Sequence, residues 1–286
     1  MPQRSPEHAM NGRAMDAVCR HGASANSPHG PRIRVDPVPP RGQTAHMHQG
    51  PLYASTTAST RPKLHEGVAS FMNGVYAWMA AGLGVSAAVA YGLSHSLEAI
   101  QFLYGSGFGM IVLLAPLAMA WFLPSRMQRM STPAAVGWFF VFSATMGAGM
   151  TYLPLMAAAS PAFMSVVAQA FVTTVAVFGA MAVFGYTTKK DLSGVGQFLV
   201  MAILGAIVAS LLNLAFLQSS GLSLGISVVV AVAAAGLTAY HAQAIKQIYL
   251  VNGGRNNLAI VGALALYVDF VNLFLSLVRL FAASRD

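Results

Sequence analysis

Charge is what this 286-residue chain has least of: Asp, Glu, Lys and Arg make up 8% of it, against roughly 25% in an ordinary soluble domain. That scarcity excludes a fully solvated globular surface. Cysteine is nearly absent too, and with Cys19 alone neither an intrachain disulfide nor a multi-cysteine metal site can form. Acidic residues number eight, and Asp269 is the single one deep inside an apolar run. An intramembrane aspartyl protease needs two facing carboxylates. HExxH is missing, and no serine has an evident histidine partner on a matching face. The expectation is therefore a protein that is not an enzyme, with no catalytic residue and no cofactor.

What is there is apolar: 56% of the residues are hydrophobic. The segments Val68–Leu97, Ala99–Ser125, Met130–Thr188 and Leu192–Ile245 contain no Asp, Glu, Lys or Arg. A membrane span needs about 20 apolar residues, so these runs hold one, one, two and two helices. Asn256–Val278 supplies a seventh. The predicted spans are Phe71–Leu93, Gly107–Leu123, Ala134–Leu153, Phe163–Tyr186, Val195–Leu217, Leu222–Gln243 and Asn257–Phe281. The fold class is all-α, a polytopic membrane protein with seven transmembrane helices and the lipid bilayer as its first partner. Pro124, Pro133, Pro154 and Pro161 fall at span ends, whereas Pro116 should kink the second span.

Residues 1–66 read as a disordered basic tail rich in Pro, Gly and His, and residues 67–286 as the transmembrane domain. The tail holds nine of the fourteen prolines and six of the eight histidines, without apolar periodicity. It carries half of the sixteen basic residues, scattered and without a groove-reading motif, which argues against a nucleic-acid partner. Met47 is a second candidate start. Basic residues then recur in alternate links: Arg126 and Arg129, Lys189 and Lys190, Lys246 and Arg255. Such alternation places the N-terminus in the cytoplasm. Gly105-Ser-Gly-Phe-Gly109, Gly147-Ala-Gly149 and Gly221-Leu-Ser-Leu-Gly225 fit close helix packing better than a nucleotide loop.

Two ionisable residues stand out. Asp269 and His241 are alone of their kinds in apolar spans, where a charge costs roughly 2.5 to 3.5 kcal/mol even on insertion scales. Asp269, Asn272, Ser276 and Arg279 are spaced i, i+3, i+7 and i+10, one polar stripe on a helix. Asp269 lies about 18 Å along its span from Asn257. His241 reaches a matching depth only if the sixth helix runs past Lys246 toward Leu250, with Lys246 snorkelling to the surface. Burial and pairing act in opposite directions on both groups, so such a pair can change charge near neutral pH. Two readings follow: a proton-sensitive gate, or a structural hydrogen bond that fixes the hairpin.

FGYTTKKDLSGVGQFL (Phe184–Leu199), GLTAYHAQAIKQIY (Gly236–Tyr249) and ALALYVDFVNLFLSLVRLF (Ala263–Phe281) resemble the Bax inhibitor-1-like family, the transmembrane Bax inhibitor motif proteins. The resemblance covers about residues 64–282. It implies seven helices with the last one central, and a pH-sensitive leak of calcium or another cation. It also implies a pair of aspartates, one late in the sixth span and one in the seventh, that share a proton. Asp269 stands at the second position. His241 stands at the first, so the sequence departs from the family pattern there. A basic residue associated with the second span can pair with those aspartates; Arg126 is the nearest candidate gate partner and Arg129 the next. The resemblance also implies, as an alternative, a regulator of membrane-protein quality control or cell death acting through membrane protein partners. The short links and motif wording resemble bacterial members, which places the chain in the inner (plasma) membrane.

Overall fold

The computed structural model describes residues 54–254 and 256–285. They form α1 (Ala54–Ser94), α2 (Leu97–Gly105), α3 (Gly107–Met127), α4 (Thr132–Gly149), α5 (Tyr152–Ala159), α6 (Pro161–Thr187), α7 (Ser193–Leu212), α8 (Ser220–Asn252) and α9 (Asn256–Ala283), with a π-helical turn at Asn213–Leu217. Among the described residues there is no strand. Seven segments of the described residues are long and apolar enough to cross a membrane: Glu66–Ser94, Gly109–Met127, Thr132–Ala159, Pro161–Thr187, Ser193–Leu217, Ser220–Asn252 and Asn257–Ala283. The segment read as a tail lies outside the described residues as far as residue 53. Its remainder, residues 54–66, is helical and continues directly into the first span, as cooperative propagation from an apolar helix allows.

Several boundaries differ from the sequence reading. Helix α3 carries both Pro116 and Pro124 and runs on to Met127. The third span is broken at Met150–Thr151 into α4 and α5. Pro154 has no N–H to offer the Met150 carbonyl, which accepts instead from Leu153 N at 3.0 Å. Ser96 accepts from Ala99 N and caps α2, a helix of nine residues placed by sequence in a link.

Helix α9 sits at the centre, packed against α8, α1, α6, α4 and α3. In its apolar window 67% of the residues are buried, against 11% for α7, so α9 is wrapped by protein and α7 faces outward. Lipid tails are as apolar as the side chains, so the bundle is held by close packing and interhelical hydrogen bonds. Glycines make the close packing possible. A Cβ on Gly147 of α4 would lie 2.5 Å from the Ser86 carbonyl oxygen of α1, and one on Gly185 of α6 would lie 2.0 Å from the Ala239 carbonyl oxygen of α8. Gly109 likewise meets the α2 backbone, but Gly221 and Gly225 face open space, so the small-residue reading applies to the first two clusters and not to the third.

One group of interhelical hydrogen bonds forms a knot in the core. Ser86 Oγ donates to the Ser143 carbonyl at 2.7 Å and lies 2.6 Å from the Tyr267 hydroxyl, which joins α1, α4 and α9. Phe139 and Phe142 meet the Tyr267 ring edge-on, with centroids 6.0 and 5.7 Å away. At the chain end, Arg285 donates to the Ala162 carbonyl at 3.1 Å, to Gln169 Oε1 at 3.0 Å and to Ser165 Oγ, tying the segment after α9 to the start of α6.

Two outcomes are expected. Gly185→Leu drives a side chain into the α8 backbone, and overpacking of this kind costs about 1 to 3 kcal/mol or more; the melting temperature in detergent falls, whereas Gly179→Ala, which meets nothing within 4 Å, leaves it unchanged. Tyr267→Phe removes the hydroxyl from the knot and lowers stability by about 1 kcal/mol, read from reversible unfolding in mixed micelles.

Candidate functional site

The site is built by the α8–α9 hairpin. Helix α8 ends at Asn252, and Gly253 takes up the turn with a φ of +70°, a region that favours glycine. From Gly253 back to His241, and from Asn257 forward to Asp269, the chain rises about 18 Å on each helix at 1.5 Å per residue. The two side chains therefore stand at the same level. Between them and the turn, Gly262 of α9 lets Ile245 of α8 approach closely: a Cβ there would lie 3.0 Å from Ile245 Cγ1.

The result is a direct contact. His241 Nδ1 lies 2.6 Å from Asp269 Oδ2. Toward an ionised carboxylate the ring nitrogen is the donor. It is the one ion pair found among the described residues. The Asp269 side chain is 3% exposed and that of His241 24%, so the imidazole is the less enclosed half of the pair. The ring of Tyr240 stands beside it, with centroids 5.2 Å apart.

The other candidate residues are placed less centrally. Asn272 is half-buried one turn beyond Asp269, Ser276 is buried, and Arg279 is exposed. No hydrogen bond joins Asn272 to the pair among the described residues. Arg126 and Arg129 are exposed at the end of α3. The Gln128 carbonyl between them accepts from Asn257 Nδ2 at 3.3 Å, which sets both arginines beside the start of α9, about 18 Å along the helix from Asp269. Neither pairs with Asp269 in this structure.

Lys246 occupies the position the depth estimate required. Its Nζ donates to the Tyr186 carbonyl at the end of α6, 2.9 Å away, and lies 4.7 Å from the Tyr186 ring centroid. Three residues earlier, Gln243 accepts from Leu192 N at 2.9 Å and donates to the Lys190 carbonyl at 2.8 Å. That clasp holds the α6–α7 link against α8. Sequence reasoning missed it, and it missed the Ser86–Ser143–Tyr267 knot. Gln243 and the link both lie in stretches that carried the family resemblance, which was the available signal; Ser86 and Ser143 sit in charge-free spans with nothing to mark them as partners.

Comparison with known proteins agrees with this architecture. The family model described as "Inhibitor of apoptosis-promoting Bax1" matches residues 68–286. An uncharacterized protein of Deinococcus radiodurans is 42% identical over 80% of this chain and 96% of its own length. One of Rickettsia prowazekii is 37% identical over 81% and 97%. The inner membrane protein YbhL of Escherichia coli is 35% identical over 77% and 94%. With seven apolar spans, α9 at their centre, and a family match over residues 68–286, this chain is an integral membrane protein of the Bax inhibitor-1-like family.

Proposed function

We propose that this protein is a pH-responsive leak pathway for calcium or another cation, with His241 and Asp269 as its gate and Asn272 beside them. The observation that carries the reading is the 2.6 Å contact between the imidazole and the carboxylate that lies deep within the spans. A charge at that depth is held by its partner or not at all. While the imidazole is protonated, the carboxylate is engaged and the pathway is closed. As the proton leaves, the carboxylate becomes available to a passing cation, and the pathway opens. The chain works as a conduit and not as a catalyst.

The pair also sets a limit on calcium. His with Asp presents at most one negative charge, and imidazole is a poor ligand for a hard cation that prefers oxygen. Calcium therefore binds more weakly here than it would between two carboxylates. Basic residues in alternate links support an N-terminus in the cytoplasm, and the printed name of the Escherichia coli relative supports the bacterial inner membrane. The alternative reading, regulation through membrane protein partners, would draw on the N-terminal segment.

Flux of calcium into proteoliposomes from about pH 6 to 8 tests the gate. Flux through the unaltered protein rises across that range. Asp269→Asn brings it near background and removes the pH dependence, whereas His241→Asp raises calcium flux several-fold. If both variants carry calcium as the parent does, the gate is wrong. Removal of residues 1–53 leaves the leak in place; loss of captured membrane proteins on the same removal, with no flux from the parent, favours the partner reading.

A further inference from the structure

Away from the ionisable pair, the α6–α7 link and the end of α8 enclose a cleft of about 170 Å³ lined by Thr188, Lys189, Lys190, Gln243, Lys246 and Gln247. At about 30 Å³ per liquid water, it has room for a phosphate group and part of what is esterified to it. Its walls are fixed. Gln243 is buried and bonds the link on both sides, to Leu192 N and the Lys190 carbonyl. Thr188 Oγ1 accepts from Lys190 N at 3.3 Å. Lys246 directs one proton to the Tyr186 carbonyl, and an ammonium has two more to give.

The charge balance favours an anion. Asp191 also lines the cleft, but its Oδ1 accepts from Ser193 N at 2.9 Å and Ser193 Oγ at 2.6 Å. Those bonds hold its carboxyl below the usual range, so it counts as one negative charge against three lysines. The level is that of headgroups, because the apolar span of α6 ends at Thr187 and that of α7 begins at Ser193. Apolar side chains continue from the rim. Leu250 lines the cleft and is 52% exposed, and Phe184 and Val251 are exposed close by in the chain.

We propose that this cleft binds the phosphate of an anionic lipid headgroup, with Lys189, Lys190 and Lys246 as its cationic partners and the acyl chains laid along the outer face of α6 and α8. Lysine meets a phosphate as a point charge through charge-assisted hydrogen bonds. Basic residues at a membrane surface contribute about 1 kcal/mol each toward anionic lipid. A lipid seated there bridges the link to α8 within two residues of His241. The proposal stands apart from the leak reading, since binding is measured without flux.

The test is native mass spectrometry of the full-length protein released from detergent, with phosphatidylglycerol or phosphatidylcholine added. Phosphatidylglycerol is retained in preference, and the double variant Lys189→Gln/Lys190→Gln weakens its retention by about fivefold per lysine. Both lysines are exposed, and an unchanged helical circular dichroism signal confirms that the variant is folded. Equal retention of the two lipids, or undiminished retention by the folded variant, overturns the proposal. Millimolar inorganic phosphate separates the sources: bound phosphatidylglycerol that resists displacement supports a lipid site, and displacement by free phosphate overturns the lipid assignment.

Discussion

In a hydrocarbon interior a polar group has no water to turn to, so each one on a spanning helix must find its partner within the protein. That constraint explains why α9 is central. It carries Tyr267 and Asp269, two residues apart and therefore about 200° apart around the helix. Each reaches a different neighbour: Tyr267 meets Ser86 of α1, and Asp269 meets His241 of α8. Among the described residues no buried side-chain nitrogen or oxygen is left without a partner. The middle of the central helix is thus fixed on two sides by polar contacts, with aliphatic and aromatic packing around them, as where Phe178 meets Phe270 edge-on at 5.4 Å.

The same constraint separates the two kinds of polar contact by role. The Ser86–Ser143–Tyr267 knot is uncharged and enclosed, and it sets which helices touch. His241–Asp269 consists of groups that exchange protons, and its imidazole is partly accessible. Hydroxyl groups do not ionise in the physiological pH range, whereas imidazole is the side chain whose ordinary titration falls within it. What the structure shows of the pair is the contact itself, which ties α8 to α9 across the hairpin.

Much of this was legible in the chain. Runs without charge gave the spans, because length and apolarity alone decide what can cross a bilayer. The isolation of Asp269 and His241 in those runs marked them as candidates, and helical rise brought them to one level once α8 was allowed to pass Lys246. Less legible were features that depend on which helix faces which. Ser86 and Ser143 are ordinary residues until α1 and α4 cross. The break at Met150 follows from a proline four residues on, which was read as the span end. Arg126 and Arg129 were assigned by resemblance, and the Gln128–Asn257 bond sets them at the wrong depth to meet Asp269 in this structure.

The contact of Gly185 with the Ala239 backbone has a mechanical consequence. Packed interfaces switch between discrete arrangements and do not deform continuously, and here two backbones meet with no side chain between them. Helices α6 and α8 are therefore set backbone to backbone at Gly185 and Ala239, two residues before His241 on α8. Any side chain at position 185 must push those two backbones apart, so the spacing of α6 from α8 at this level depends on the absence of a Cβ there.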